Sequence, residues 1–237
     1  FILDPTTSVL LTVLVVLVSI NAVNMVDGLD GLAASIVLVG AGAFFAYSYF
    51  LSVANGYQRA ALATLISASL IGMCAGFLPH NWYRARVFMG DTGSMLIGLL
   101  MAASSIMLTG QVDPGGLSGG TLLPAFLPIV LPLSILAVPL LDLLLAVVRR
   151  TRKGRSPFAP DKEHLHHRLL KLGHGQERAV LIMTAFTGLL AFGAVSTAFV
   201  PVWITGLGAG LGVVALASWV LNPPRTRTRA RTRSAIN

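Results

Sequence analysis

Charge is scarce in this 237-residue chain. Asp, Glu, Lys and Arg together make up 11% of it, where a soluble domain carries about 25%. Cysteine is nearly absent: Cys74 stands alone, so no internal disulfide forms and nothing indicates an oxidising compartment. There is no basic-then-apolar leader and no repeat at a solenoid period. The chain begins at Phe1 rather than Met, which reads as a piece of a longer protein. In place of charge there are apolar residues, 55% of the total, with a mean hydropathy of +0.79. Lipid is the main solvent. The net charge of +8 would point to nucleic acid in a soluble protein, but in a membrane protein the placement of the charge decides, and no nucleic-acid partner is expected.

A membrane helix needs about 20 mainly apolar residues. Runs of that kind lie at about 8–24, 31–51, 60–79, 93–110, 121–148, 179–200 and 202–221. The expected fold is all-α, a polytopic transmembrane bundle of seven spans over residues 1–221, followed by a basic, disordered tail at 222–237. The fifth span holds Pro124, Pro128, Pro132 and Pro139 and should be kinked or broken. The last two spans should form a hairpin turning near Pro201.

Orientation follows from Lys and Arg. Of the 17, only Arg59 lies on one side. Arg84 and Arg86, nine from Arg149 to Arg178, and five from Arg225 to Arg233 lie on the other. The basic side is cytoplasmic, with a large loop at 149–178, and the amino terminus faces out. The tail RTRTRARTR is suited to anionic headgroups, each basic residue near the surface contributing about 1 kcal/mol.

Three polar motifs fall on that one side. NAVNMVDGLDG ends the first span, with Asn21, Asn24 and Asp27 at i, i+3 steps along one helical stripe. Gly28 and Gly31 then let the chain turn, freeing Asp30 from that face. Amides and carboxylates are expensive at a membrane segment. Their oxygens are hard ligands for Mg²⁺, or partners for ribose and base. Interhelical hydrogen bonds, with Asp30 capping the next helix, are the structural alternative.

FMGDTGS, residues 88–94, places Asp91 at a helix start between Gly90 and Gly93. As a plain cap it accepts a backbone N–H. The free N–H groups there, with Gly93 and Ser94, also favour an anion such as phosphate, and Asp91 can hold a metal bridging it. PDKEHLHHRL, residues 160–169, gathers His164, His166, His167 and Arg168. A zinc site is the rival there, but it lacks cysteine ligands and adjacent His166 and His167 do not easily reach one ion. Phosphate binding suits imidazole donors and an Arg clamp better. Asp142 in the fifth span is either a structural ion pair or a support for the cleft, and the isolated His80 and His174 carry no assigned role. GLGAGLG at 206–212 offers a small-residue surface for a homodimer.

NAVNMVDGLDGLAAS, FMGDTGSMLIG and EHLHHRLLKLGH, in that order, resemble the polyprenyl-phosphate N-acetylhexosamine-1-phosphate transferase family. The HLHHRL form is similar to the branch that uses UDP-N-acetylglucosamine and undecaprenyl or decaprenyl phosphate. The resemblance implies transfer of sugar-1-phosphate to the lipid phosphate with release of UMP, Mg²⁺ or Mn²⁺ as cofactor, and a site at the cytoplasmic face of the bacterial inner membrane. The product would start a cell-envelope polysaccharide such as O-antigen, teichoic acid or an arabinogalactan linker. It implies Asp91 as a metal ligand with Asn24 beside the metal, Asp27 as an essential acid, and Asn21 and Asp30 at the substrate. His166 and His167 are implied in catalysis, and His164 and Arg168 on substrate phosphate. The family's early aspartate pair has no counterpart before residue 27, where only Asp4 stands, on the far side. This chain by itself is therefore expected to be inactive. A pentapeptide-carrying transferase and an ion-coupled transporter are the alternatives; a transporter would hold its acids near the bilayer midplane.

Overall fold

The computed structural model describes residues 4–54, 56, 58–108, 133, 137, 141, 144, 147–154, 156 and 165–222. Seven helices are bounded among them: α1 (Pro5–Val26), α2 (Leu32–Ala54), α3 (Gln58–Asn81), α4 (Gly90–Leu108), α5 (Leu165–Lys171), α6 (Gln176–Ser196) and α7 (Val202–Leu221). All except α5 are long and apolar enough to cross a bilayer, and the described residues contain no strand. The chain is a multi-pass membrane protein. Six expected spans are thus found. Most of the fifth, including Asp142, lies outside the described residues, as does the tail beyond residue 222.

Helix ends follow local chemistry. Asp4 caps α1 by accepting the Thr7 N–H at 3.0 Å, with Pro5 in the first turn where its missing N–H costs nothing. That hydrogen bonding holds the Asp4 carboxyl below its usual range. α6 closes with the Ser196 and Thr197 hydroxyls donating back to the carbonyls of Gly193 and Ala194. Pro201 then stands immediately before α7, so α6 and α7 form the expected hairpin.

The helices neighbour one another in the order α1, α4, α3, α2, α6, α7. α2 is the central member, and its Phe44 and Tyr47 are fully buried. α1 buries only Ser19, Ala22, Val23 and Val26, near its carboxyl end, and α7 buries nothing. Close approaches fix the directions. Thr64 of α3 donates to Ser48 of α2 at 3.0 Å, pairing the start of one with the end of the other. Gly98 of α4 lies against the backbone of Ser19 and Ile20 in α1: an added Cβ would sit 2.8 Å from the Ile20 Cα.

α2 and α6 run parallel. Gly188 lies against Val39, Gly42 against Phe192, and the Phe50 ring meets Phe199 edge-on at 4.6 Å. The numbers rise together, so the starts of α2 and α6 share one end of the bundle. In the α6–α7 hairpin, Ser196 reaches Thr205 and Gly212 packs on Leu189. The carboxyl end of α7 therefore returns to that same end. Of the small-residue surface on α7, Gly206, Gly208 and Gly210 border open space.

Candidate active site

The first motif is the end of α1 and the connection to α2. Asn21, Asn24 and Asp27 do lie along one stripe, because α1 stays helical to Val26 and Asp27 is its C-cap. The cap is closed by the Asp27 N–H donating to the Asn24 carbonyl at 3.2 Å. Asn21 is exposed, and its Nδ2 donates to the Leu17 carbonyl at 2.7 Å. Its amide nitrogen is thus turned onto its own helix. Only Gly31 takes a left-handed backbone, with φ +76°; Gly28 does not. A Cβ at Gly31 would also meet the Trp82 ring at 3.1 Å. Two separate demands therefore require glycine there.

Asp30 does not cap α2. Its Oδ2 accepts the Ala85 N–H at 3.2 Å, across to the connection between α3 and α4. Asn81, the last residue of α3, completes the stitch. It is buried. Its Oδ1 accepts the Gly31 N–H at 3.0 Å, and its Nδ2 donates to the Val87 carbonyl at 2.9 Å. The loop holding Asp27 and Asp30 and the loop leading to Asp91 are one bonded unit. Neither Asn81 nor Trp82 stood out in the sequence. The usable signal was an amide at the end of an apolar run, five residues before the aspartate-bearing loop closes on Val87 and Phe88.

α4 begins at Gly90, whose φ is +68°, so Asp91 lies within the first turn and not at the cap position. It is exposed. Ser94 differs from expectation: it is fully buried, and its hydroxyl donates to the Gly90 and Asp91 carbonyls, both at 3.1 Å. It braces the turn and is not free to meet an anion. Gly93 is needed because a Cβ would come 2.7 Å from the Met89 Cγ.

Asp27 and Asp91 are near enough to interact. Partial burial pushes the Asp27 carboxyl above its usual range, and the negative charge of Asp91 pushes it further. Both stand at the ends of spans and not in their middles, unlike the acids of a midplane transport site. Arg84, Arg86 and Phe88 are exposed on the connecting loop beside them.

The third motif shares this end of the bundle, because α5 leads directly into the start of α6. Arg168 is on α5 and exposed. His166 and His167 are in α5, but their side chains lie outside the described residues, and so does His164. Among the described residues, no three His, Cys, Asp or Glu converge as a metal cage.

A bundle of membrane helices with two acid-bearing loops stitched together at one end defines the class. Residues 1–109 match glycosyl transferase family 4, and the chain belongs to that family. Within it the similarity is to decaprenyl-phosphate N-acetylglucosaminephosphotransferases. The chain is 44% identical over 218 residues to that of Mycolicibacterium smegmatis, covering 90% of this chain and 53% of the relative. It is 48% identical over 202 residues to that of Mycobacterium tuberculosis, covering 84% and 49%. It is also 33% identical over 152 residues to the undecaprenyl-phosphate alpha-N-acetylglucosaminyl 1-phosphate transferase of Escherichia coli, covering 60% and 38%. The chain spans about half the length of the mycobacterial relatives it matches.

Proposed function

We propose that this protein carries the site of a phospho-N-acetylhexosamine transferase. It moves N-acetylglucosamine-1-phosphate from UDP-N-acetylglucosamine to a polyprenyl phosphate and releases UMP. The site faces the cytoplasm at a bacterial inner membrane, on the side where the Lys and Arg residues collect. One observation carries this reading: Asp27, Asp30 and Asp91 are gathered onto a single hydrogen-bonded platform at the membrane surface. A lipid phosphate and a water-soluble sugar nucleotide meet only at such a surface.

The donor set fits a small hard cation. Mg²⁺ is held by one or two carboxylates and keeps its remaining positions for water and substrate phosphates, so a full protein cage is not needed. Asp27 and Asp91 repel one another, and a divalent ion near them removes that repulsion. Asp91 and Asn24 would hold the ion, which neutralises diphosphate charge when bound. Phosphoryl transfer asks the protein chiefly for positioning and charge neutralisation. Asp30 is oriented by the Ala85 N–H toward the nucleoside side, and Asn21 lies one turn before Asn24 on the same stripe. Arg168, His164, His166 and His167 neutralise the phosphates. The acceptor phosphate is already ionised at neutral pH, so attack at the sugar-side phosphorus requires no general base.

The test is a product assay on the complete gene product in lipid nanodiscs, with radiolabelled UDP-N-acetylglucosamine and decaprenyl phosphate. The expected result is a labelled lipid with equimolar UMP, abolished by chelation and restored by Mg²⁺ or Mn²⁺. Turnover that persists in chelator would remove the metal role of Asp91. Absence of labelled lipid under all conditions would remove the transferase reading.

A further inference from the structure

α7 buries none of its residues, yet every carbonyl at its end is engaged. The Ser218 carbonyl accepts from Asn222 at 2.9 Å. The Trp219 and Asn222 carbonyls accept from the Arg178 guanidinium at 3.0 and 2.8 Å. The Val220 carbonyl accepts the His174 Nε2–H at 2.9 Å. The guanidinium also stands 5.7 Å from the centre of the Trp219 ring. A helix carboxyl end carries partial negative charge and free carbonyls, so Arg and imidazole are the right donors.

His174 is buried at 3% exposure, and it is rigidly joined to the helix that carries His166, His167 and Arg168. The Gly173 N–H donates to the Leu170 carbonyl at 3.0 Å and the His174 N–H to the Leu169 carbonyl at 3.1 Å. Gly173 has φ +94°. This pair of bonds is the Schellman closure of a helix, and it leaves no free rotation between α5 and His174. On its other side α5 is seated by Leu169, 6% exposed.

We propose that His174 and Arg178 are positioning residues, which fix the histidine-bearing helix α5 by gripping the carboxyl end of α7. The terminal hairpin thereby acts as the mount for the phosphate-binding side chains, at the end of the bundle where Asp27 and Asp91 stand. The function of α7 is at its tip and not along its length, which accounts for a spanning helix with no buried face. This inference rests on the transferase reading for its effect on turnover, but not for the grip itself.

The experiment uses the complete gene product in nanodiscs with His174→Asn, His174→Gln and Arg178→Ala. A glutamine amide places its nitrogen near the Nε2 position and keeps the bond to Val220, whereas the shorter asparagine cannot reach it. His174→Asn and Arg178→Ala should raise hydrogen exchange across residues 165–173 and leave α1 to α4 unchanged. They should lower kcat by about 10²-fold, the cost of misplacing a reacting group by roughly 1 Å. His174→Gln should restore both readouts. Unchanged exchange in His174→Asn and Arg178→Ala, or a His174→Gln no better than His174→Asn, overturns the proposal. If the wild-type protein makes no labelled lipid, the transferase reading falls, and the exchange difference alone still decides the grip.

Discussion

Asp27 shows how a site residue works against the stability of its own protein. Its carboxyl is raised by burial and by Asp91, so the folded state holds this proton more tightly than the unfolded chain does. The resulting stability is present below the usual carboxylate range and is lost as pH rises through the raised value. At neutral pH the ionised group is a net cost. Asp27→Asn should therefore raise the thermal midpoint at pH 7 and 8, have little effect near pH 4, and abolish turnover. A midpoint that drops at pH 8 would show that Asp27 is structural. Asp91→Asn should cut kcat by about 10²-fold or more in a protein that still folds. It should also bring the Asp27 carboxyl down toward its ordinary range, because one of the two causes of the rise has gone. Asn81 behaves in the opposite way, since it holds loops together without bearing charge. Asn81→Ala leaves the buried Gly31 N–H without an acceptor and should destabilise by about 2–3 kcal/mol, read as a lower midpoint in detergent. Asn81→Asp keeps the acceptor for Gly31 but sets a carboxylate against the Val87 carbonyl, so it should be no better than alanine.

At the scale of elements, the distance between the two acids is set where α1 crosses α4. Gly98 allows the α4 backbone to lie on Ser19 and Ile20, with the Ser19 carbonyl 2.9 Å from a would-be Cβ. The atoms in the way are backbone and cannot swing aside. Gly98→Val should push the helices apart at a cost of about 1–3 kcal/mol. It should lower kcat although residue 98 is two turns from Asp91, and a variant with full turnover would show that the crossing does not set the site. The spans themselves were legible in the sequence, because a bilayer demands only length and apolarity, and six appear where the runs lie. The acid and amide motifs were legible because such groups are costly at a membrane. The bonds between motifs were not. Asn81 meets Gly31 fifty positions away and His174 meets Val220 forty-six away. No periodicity marks a lone amide or imidazole that acts across a bundle. Ser94 was misread for a related reason: a hydroxyl beside a helix start serves an anion or its own backbone equally well on paper, and burial decides.

For the whole molecule, the bundle has two chemically different ends. One carries the connections at 27–31 and 82–89, the helix α5, and the tip of α7 with Arg178. The other carries Asp4, the turn at Gly56 and the turn before Pro201. Charge is distributed accordingly, with Arg59 alone among the 17 Lys and Arg residues placed at the second end by the alternation of spans. This asymmetry predicts a fixed orientation in the membrane, and the chain is well suited to its measurement. Cys74 is its only thiol and is buried, so Cys74→Ser gives a clean background. A cysteine placed at Gly56, exposed with open space around it, should react with a membrane-impermeant maleimide in intact cells. A cysteine at Phe88, 74% exposed, should react only after the membrane is opened. The second position is the more informative because it adjoins Asp91. If Phe88→Cys labels from outside, the carboxylate platform faces away from the cytoplasm where UDP-sugars are made, and both the orientation and the proposed reaction fail together.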